Sequence, residues 1–198
     1  FKANISKYLL LYKQSELGEI VVNAPGMHNV LNSLAAMALG HELNISFDVL
    51  KNGISNYNGV RRRFDIKENN SDIIVVDDYA HHPTEVKATI DAAISGWDKK
   101  IIVIFQPHLF TRTRDFYKEF AESLYKSNFI LITDIYPARE EPLEGINSKL
   151  IIDELKNLGH KNTFHIKDLS KLNQILDEFN LDNHMVITMG AGDIWRYN

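Results

Sequence analysis

Residues 73–82 read IIVVDDYAHH and residues 101–110 read IIVIFQPHLF, and these two stretches decide the fold. Each begins with a short apolar run and continues into polar side chains. An apolar run bounded by polar and proline residues is typical of a strand that is buried on both faces. In open α/β sheets, ligands bind outside the carboxyl ends of such strands. The sequence therefore predicts a buried sheet with a binding site at that edge.

Downstream of residue 60, predicted strands alternate with helices of roughly ten to fifteen residues, which is typical of βαβ units with right-handed crossovers. The predicted strands are Phe64–Lys67 and Ile73–Val76, joined as a hairpin through Glu68–Asp72, then Lys100–Phe105, Phe129–Ile132, Thr163–Ile166 and Met185–Thr188. The predicted helices are Pro83–Ser95, Asp115–Lys126, Ser148–Leu158 and Leu169–Phe179. We predict an α/β fold with a Rossmann-like, mostly parallel sheet flanked by helices.

The first part of the chain follows a different pattern. Strands are predicted at Tyr8–Tyr12 and Glu19–Val22 with a turn at Ser15–Gly18, and helices around Val30–Leu39 and Phe47–Ile54. The breaker sequence that ends at Gly59 places a domain boundary there. We expect residues 1–59 to be the end of a second α/β domain and residues 60–198 to form their own domain. Because the chain begins with Phe rather than Met, we expect it to be a piece of a longer protein.

The composition excludes several classes of function. The formal net charge of −4 argues against a general polyanion-binding surface, so no nucleic-acid partner is predicted. No apolar run is long enough to cross a bilayer and no signal peptide is visible, so no membrane partner is predicted. The absence of cysteine excludes disulfides and thiolate chemistry and fits a cytoplasmic location. The phosphate-binding pattern G-x-x-x-x-G-K-[ST] does not occur, so the main phosphate site for any nucleotide is expected elsewhere.

Polar residues after the first strand are candidates for a binding site. Asp77 and Asp78 end the strand, and Tyr79, His81 and His82 follow in the loop. Carboxylates there can hold a ribose hydroxyl or a hydrated Mg²⁺, and neutral imidazoles can orient a small polar substrate. Alternatively, Asp77 or His82 only caps the next helix. A cap needs one residue and the loop supplies several, so the whole group favours a binding site.

A zinc site formed by His81, His82 and His108 is the alternative that the histidines raise. Adjacent histidines point apart on most backbones, and zinc ligands are usually spaced about three to five residues apart with Cys or Glu nearby. We therefore predict no metal ligand in this group.

Arginines follow the second strand and the domain boundary. Arg112 and Arg114 lie just before or within the first turn of a predicted helix, whose free N–H groups and dipole favour a carboxylate or phosphate. Either can instead pair with Asp115 or Glu119 on the surface. The three arginines at 61–63 suit a phosphate that arrives from the other domain, or they form a solvated charge cluster.

Five motifs occur in order along the chain: PGMHNVLN at 25–32, GVRRRF at 59–64, DDYAHHPTE at 77–85, QPHLFTRTR at 106–114 and GAGDI at 190–194. Together they resemble the Mur ligase family, and within it the members that join L-alanine to UDP-N-acetylmuramate. The resemblance covers almost the whole chain. It implies that residues 1–59 are the end of the central ATPase domain and that residues 60–198 are the C-terminal domain.

The resemblance implies an ATP-dependent ligase of peptidoglycan biosynthesis, in which ATP phosphorylates the lactyl carboxylate of UDP-N-acetylmuramate and the amine of L-alanine attacks the acyl phosphate. The implied nucleotide contacts are Asn29, Asn32, Arg62 and Asp78. The implied contacts to alanine and the product are Tyr79, His81, His108 and Arg112. The main sites for ATP and Mg²⁺ are implied to lie in the enzyme's other domains, so we expect the chain alone not to turn over ATP.

Two departures from the family and two alternative functions stay open. Ala80 stands where some members have glycine, and Leu109 stands where some have arginine, which removes one arginine contact. One alternative is the related ligase that recycles an intact cell-wall peptide, against which Gln106-Pro107-His108 and the Thr-Arg-Thr run argue. The other is a non-catalytic nucleotide or amino-acid binding module built on a Rossmann-like sheet.

Overall fold

The computed structural model describes residues 3–70, 72–179 and 181–197, so Ser71 of the predicted hairpin loop lies outside the described residues. Two compact units make up the chain. The first takes in the described residues up to Val60 together with Asp91–Asp98, and the second takes in Arg61–Ile90 and the described residues from Lys99 onward. The predicted boundary at residue 59 placed Asp91–Asp98 in the second domain, whereas the structure groups this segment with the first unit.

A β-hairpin and two helices form the first unit. Its elements are β1 (Ser6–Tyr12), β2 (Ser15–Val22), α1 (Met27–Glu42) and α2 (Phe47–Ser55), with β1 and β2 antiparallel. The core of this unit is formed by Ile20, Val22, Ala24 and Met37, which are all buried. The predicted pair of strands followed by two helices is confirmed.

The turn of this hairpin differs from the prediction. The predicted turn at Ser15–Gly18 is wrong, because the strands are joined at Lys13 and Gln14. Both residues have positive φ, 47° and 68°, which is the geometry of a two-residue hairpin loop whose twist matches that of the strands. Lys-Gln lacks the Asn-Gly or Asp-Gly signal of such loops, so the sequence did not reveal it.

A six-stranded sheet with helices forms the second unit. Its strands are β3 (Asp65–Asn69), β4 (Ile73–Asp78), β5 (Lys100–Phe105), β6 (Phe129–Thr133), β7 (Thr163–Ile166) and β8 (His184–Met189). Its helices are α3 (Pro83–Gly96), α4 (Phe110–Leu124), α5 (Lys149–Asn157) and α6 (Leu172–Asp177). The strand order is β3-β4-β8-β5-β6-β7, and every neighbouring pair is parallel except β3 with β4 at the edge.

Strands β5 and β8 lie side by side within the sheet, and nearly all of their side chains are buried. Burial on both faces explains why these strands are continuous apolar runs rather than alternating ones. Ile102, Leu131 and Val186 from three neighbouring strands join one apolar core. The predicted α/β fold with a mostly parallel, helix-flanked sheet is confirmed.

Helix α4 begins at Phe110 rather than at the predicted Asp115. Leu109 precedes it with a φ of 73°, which residues with a Cβ rarely adopt. The carboxylate of Glu140 then caps the first turn, accepting hydrogen bonds from the Thr111 N–H at 3.0 Å and from the Thr111 hydroxyl. Because the capping residue lies in a distant loop, the local sequence gave no signal for this start.

The last predicted helix, Leu169–Phe179, consists of two shorter pieces. A 3-10 turn at Leu169–Lys171 leads into α6, and the side chain of Asp168 caps the turn by accepting from the N–H of Ser170 at 3.0 Å. Among the described residues, no helix is both long and apolar enough to span a bilayer.

Candidate functional site

The carboxyl ends of three neighbouring strands meet at one edge of the sheet. In the register of the parallel pairs, Met189 of β8 lies opposite Asp78 of β4 on one side and opposite Phe105 of β5 on the other. The pairing continues one step further, since the Gly190 N–H donates to the Asp78 carbonyl at 3.1 Å. The loops that follow these strands therefore start side by side.

Four predicted substrate contacts converge in these loops, and we call Tyr79, His81, His108 and Arg112 the histidine cluster. The rings of Tyr79 and His81 lie 5.1 Å apart, and those of His81 and His108 lie 5.9 Å apart, both edge to face. Nη1 of Arg112 lies 3.4 Å from the His81 carbonyl oxygen and 3.5 Å from Nδ1 of His108. The predicted contacts to a small substrate thus lie within reach of one another.

Glu85 and a backbone carbonyl hold His81 in place. Oε2 of Glu85 accepts from the His81 N–H at 3.0 Å and from the His82 N–H at 3.3 Å. Burial opposes ionisation of Glu85, but these bonds and the nearby positive groups outweigh it and hold the pKa of Glu85 below its ordinary value. Nδ1 of His81 lies 2.8 Å from the Tyr79 carbonyl, which can only accept, so Nδ1 carries the proton. In the neutral ring Nε2 is therefore left as an acceptor.

His108 is held in its neutral form. Burial disfavours its charged form, and the charges of Arg112 and His81 add to this effect. The pKa of His108 therefore lies below its ordinary value of 6.5, although Glu140 acts in the opposite direction. Arginine can only donate, so the contact from Arg112 leaves Nδ1 of His108 as an acceptor. The imidazole is uncharged at neutral pH.

The two arginines of α4 have different environments. Arg112 is half-buried in the first turn, and no acceptor among the described residues is within hydrogen-bond range of its Nε or Nη2 groups. Arg114 is exposed and pairs with Asp115 at 2.7 Å, as the surface alternative predicted. Arg112 is the arginine with donors to spare for an anion.

One part of the anion prediction is wrong. The first turn of α4 was expected to offer free backbone N–H groups, but the N–H of Thr111 is occupied by Glu140. The carboxylate of Glu140 already fills the place of an anion at this helix terminus, and the hydrogen bonds from Thr111 hold its pKa below the ordinary value. A ligand carboxylate at this site would be held by the Arg112 guanidinium.

The carboxylates that end β4 are bonded within the second unit. Asp78 is 5% exposed and accepts hydrogen bonds from the Phe64 N–H, the Ala80 N–H and the Thr89 hydroxyl at 2.8 to 3.0 Å. Burial raises the pKa of Asp78, and these three bonds offset the effect only in part. Asp78 organises the loop around it, and its predicted nucleotide contact stays a prediction.

One alternative predicted that Asp77 caps α3, and for Asp77 this is wrong. It pairs with Arg62, whose Nε lies 3.2 Å from Oδ2 of Asp77. The cap of α3 comes from Glu85, which binds the N–H groups of His81 and His82, with a weaker contribution from Nδ1 of His82 to the Thr84 N–H at 3.4 Å.

The arginine run at 61–63 is divided rather than uniformly solvated. Arg62 has a φ of 61° and turns inward, where Nη2 donates to the Gly190 carbonyl at 2.7 Å and the guanidinium lies 4.8 Å from the Tyr79 ring centroid. Arg61 is exposed, and Arg63 pairs with Glu85 at 3.6 Å. Arg62 is thus bound to its own unit, and its predicted contact to a nucleotide stays a prediction.

The other two predicted nucleotide contacts belong to the first unit. Asn29 and Asn32 lie three residues apart on α1 and share one face of that helix. Nδ2 of Asn29 donates to the Pro25 carbonyl at 2.7 Å, and Asn32 is exposed. Their roles remain predictions.

The sequence did not single out two residues of the loop after β6. Tyr136 stacks on His108 with ring centroids 5.8 Å apart and an interplanar angle of 13°. Glu140 caps α4 beside it. The only signal was their position directly after a buried strand, where the same rule that selected Tyr79 and His108 applies.

The residues that the structure describes hold no group of three or more His, Cys, Asp or Glu side chains suited to a metal ion. A cavity of about 480 Å³ lies in the first unit between α1, α2 and the hairpin, and one of about 400 Å³ lies beside His82 and Phe116 in the second. Neither is lined by the histidine cluster, whose members are all half-buried at the sheet edge. Chemistry and strand register, rather than cavity size, locate the candidate site.

Comparison with known proteins identifies the family of the chain. The family model described as "Mur ligase, glutamate ligase domain" matches residues 62–192, about two thirds of the chain. The chain belongs to the Mur ligase family. All members of the histidine cluster lie within the matched range, and Asn29 and Asn32 lie outside it.

Among relatives of this Mur ligase chain, the UDP-N-acetylmuramate–L-alanine ligase of Geotalea uraniireducens is 43% identical over 191 residues, which cover 96% of this chain and 42% of that protein. The ligase of the same name from Geotalea daltonii is 41% identical over 189 residues, covering 96% and 41%. The crystal structure of the UDP-N-acetylmuramate–alanine ligase MurC of Thermotoga maritima matches with a TM-score of 0.83 and 30% identity, covering 99% of this chain and 42% of that one. The chain thus spans about two fifths of the length of these relatives.

A murein peptide ligase of Psychrobacter arcticus also matches, with a TM-score of 0.66 and 21% identity over 98% of this chain and 40% of that one. At that identity the match supports the fold alone. The relatives named for L-alanine are the more similar ones in sequence.

Proposed function

We propose that this chain is the C-terminal part of an ATP-dependent ligase that joins L-alanine to UDP-N-acetylmuramate in peptidoglycan biosynthesis in the cytoplasm. The observation that carries the proposal is the convergence of Tyr79 and His81, from the loop after β4, with His108 and Arg112, from the loop after β5 and the first turn of α4. The names of the most similar relatives supply the substrates.

The histidine cluster suits both ends of a free amino acid. The spare N–H groups of Arg112 match the two oxygens of a carboxylate, which is the geometry that makes arginine–carboxylate pairs strong. The Nε2 lone pair of His81 accepts a hydrogen bond from an amine or ammonium group. A guanidinium donor and an imidazole acceptor side by side select a molecule with both a carboxylate and an amine.

The proposed reaction has two steps. The lactyl carboxylate of UDP-N-acetylmuramate attacks the γ-phosphorus of ATP and releases ADP, which leaves an acyl phosphate. The amine nitrogen of L-alanine then attacks the acyl carbon, phosphate leaves with the electron pair of the broken C–O bond, and the nitrogen gives up one proton. In this scheme, Arg112 holds the alanine carboxylate while the amine points away toward the acyl phosphate.

The two carboxylates that end β4, Asp77 and Asp78, do not fit a Mg²⁺ site. Asp77 is paired with Arg62, and the oxygens of Asp78 accept three hydrogen bonds from within the unit. Hard cations need carboxylate oxygens that are free to coordinate. We therefore assign Mg²⁺ and the ATP phosphates to the other domains of the enzyme, which are also the partners of this chain.

A substrate comparison on the enzyme that contains this chain tests the proposal. ADP release is measured with UDP-N-acetylmuramate and either L-alanine or an intact cell-wall peptide as the amine. The kcat/KM is expected to be about 100-fold higher for L-alanine, since the first residue of a peptide carries its carboxyl group as an amide and lacks the free carboxylate that Arg112 is proposed to bind. The chain alone is expected to release no ADP. A preference for the peptide, or ADP release that no amine stimulates, would show the proposal to be wrong.

A further inference from the structure

Tyr136 completes a row of rings that begins at Tyr79. Its ring lies nearly parallel to that of His108, with centroids 5.8 Å apart, and His108 also meets the ring of His81 edge to face. Tyr79 and His81 come from the loop after β4, His108 from the loop after β5, and Tyr136 from the loop after β6. Tyr136 covers one face of His108 and limits how that imidazole can turn.

The backbone of Tyr136 is fixed by a short continuation of the sheet. Its N–H donates to the Pro107 carbonyl at 2.8 Å, and its carbonyl accepts from the Leu109 N–H at 3.0 Å. His108 and Tyr136 form an isolated parallel bridge between these two bonds. The two residues that stack are therefore also clamped together through their main chains.

The ring of Tyr136 rests on Gly192, in the loop after β8. A Cβ at position 192 would lie 2.6 Å from Cγ of Tyr136 and 2.2 Å from Oε1 of Gln106. Gln106 cannot easily move away, because Nε2 donates to Asp193 at 2.8 Å and Oε1 accepts from the Ile194 N–H at 3.2 Å. The missing side chain at Gly192 is the space that the tyrosine ring uses.

We propose that Tyr136 is a positioning residue for the amine substrate, which holds the His108 imidazole in place beside Arg112, and that Gly192 is glycine because the ring of Tyr136 occupies its side-chain volume. This inference rests on the proposed function. It goes beyond that function because it assigns a role to the loop after β6 and to the glycine after β8. The role of Tyr136 is indirect, since it acts through His108.

Comparing the KM for L-alanine with the KM for ATP in Tyr136 variants of the enzyme that contains this chain tests the positioning role of Tyr136. Tyr136→Ala is expected to raise the KM for L-alanine about tenfold, the upper end of what one aromatic pair contributes. The KM for ATP is expected to change by less than about twofold, because the lost interaction touches only the amine site. Tyr136→Phe keeps the ring and loses a hydroxyl that has no hydrogen-bond partner among the described residues. The KM of this variant for L-alanine is therefore expected to equal the wild-type value. Equal defects in Phe and Ala variants, or equal changes for both substrates, would overturn the proposal.

A histidine titration followed by NMR on the chain itself gives a readout that needs no activity. The charged and titratable groups that influence His108 are Arg112, His81 and Glu140. Tyr136→Ala uncovers one face of the imidazole to water, so the pKa of His108 is expected to rise toward 6.5. Gly192→Ala is expected to have the same effect by displacing the ring.

Tyr125→Ala is the matched control, because it removes a tyrosine that packs edge to face against a different histidine, His160, at 5.8 Å. This variant is expected to leave the titration of His108 unchanged. A pKa of His108 that does not move in Tyr136→Ala overturns the proposal whatever the enzyme does. A pKa that rises as expected in an enzyme without L-alanine-dependent turnover refutes the proposed function and leaves the stack in place.

Discussion

Arg112→Ala is expected to raise the KM for L-alanine about 100-fold in the enzyme that contains this chain, because it removes two charge-assisted hydrogen bonds to the alanine carboxylate. Arg112 has donors that no described residue satisfies, and it contacts the His81 carbonyl oxygen and the His108 imidazole. The KM for ATP is expected to stay within about twofold of the wild-type value. Initial-rate measurements with each substrate varied in turn provide the check.

Arg114→Ala is the matched control for this experiment. Arg114 lies two residues further along α4, is exposed, and pairs with Asp115. An exposed pair of this kind contributes little, so both Michaelis constants are expected to stay unchanged. If the two variants behave alike, the alanine carboxylate is not bound by Arg112. Arg112→Lys is expected to recover only part of the affinity, since an ammonium group cannot donate in the planar fork of a guanidinium.

Gly190→Ala is expected to lower the free energy of unfolding of the second unit by about 3 kcal/mol, from backbone strain and overpacking together. Gly190 has a φ of 152°, and a Cβ there would lie 2.8 Å from the Gln106 carbonyl oxygen. That oxygen belongs to the backbone of a neighbouring strand end and cannot swing aside. The Gly190 carbonyl also accepts a hydrogen bond from Arg62, so displacement of Gly190 weakens that bond as well.

Gly159→Ala is the control that separates the cost of backbone strain from the cost of a steric clash at the new Cβ. Gly159 also has a positive φ, 90°, but nothing lies within 4 Å of a Cβ at that position. Its substitution is expected to cost about 1 kcal/mol, from the backbone conformation alone. Guanidinium unfolding can be followed by the fluorescence of Trp195 in a Trp97→Phe background, because the two tryptophans belong to different units. Equal destabilisation by the two glycine variants would contradict the close approach of Gly190 to Gln106.

The strands were largely predictable because burial on both faces leaves a simple signature. Lys100–Phe105 has the predicted bounds, since its apolar run stops at polar and breaking residues. Thr163–Ile166 also has the predicted bounds, although it is only partly apolar and partly buried. The start of α4 was not predictable, because it depends on Glu140 and on the positive φ of Leu109. Buried strands can be recognised from the local sequence, whereas a helix start that is capped by a residue far along the chain cannot.

The candidate site divides along the same line. Tyr79, His81 and His108 could be selected because each follows a buried strand, and parallel register brings such positions together. The inward turn of Arg62 toward Asp77 could not be, because it requires a left-handed backbone at a residue with a long side chain. Tyr136 satisfied the same positional rule as His108, but the loop after β6 holds no histidine beside it, and the sequence analysis passed over it.

The most direct test of the account is a crystal structure of the enzyme that contains this chain with its amide product bound. The account predicts that the alanyl carboxylate lies within about 3.2 Å of the Arg112 guanidinium, at hydrogen-bond distance, with the product beside His81 and His108. A product whose carboxylate is bound by other residues, with the histidine cluster left in solvent, would contradict it.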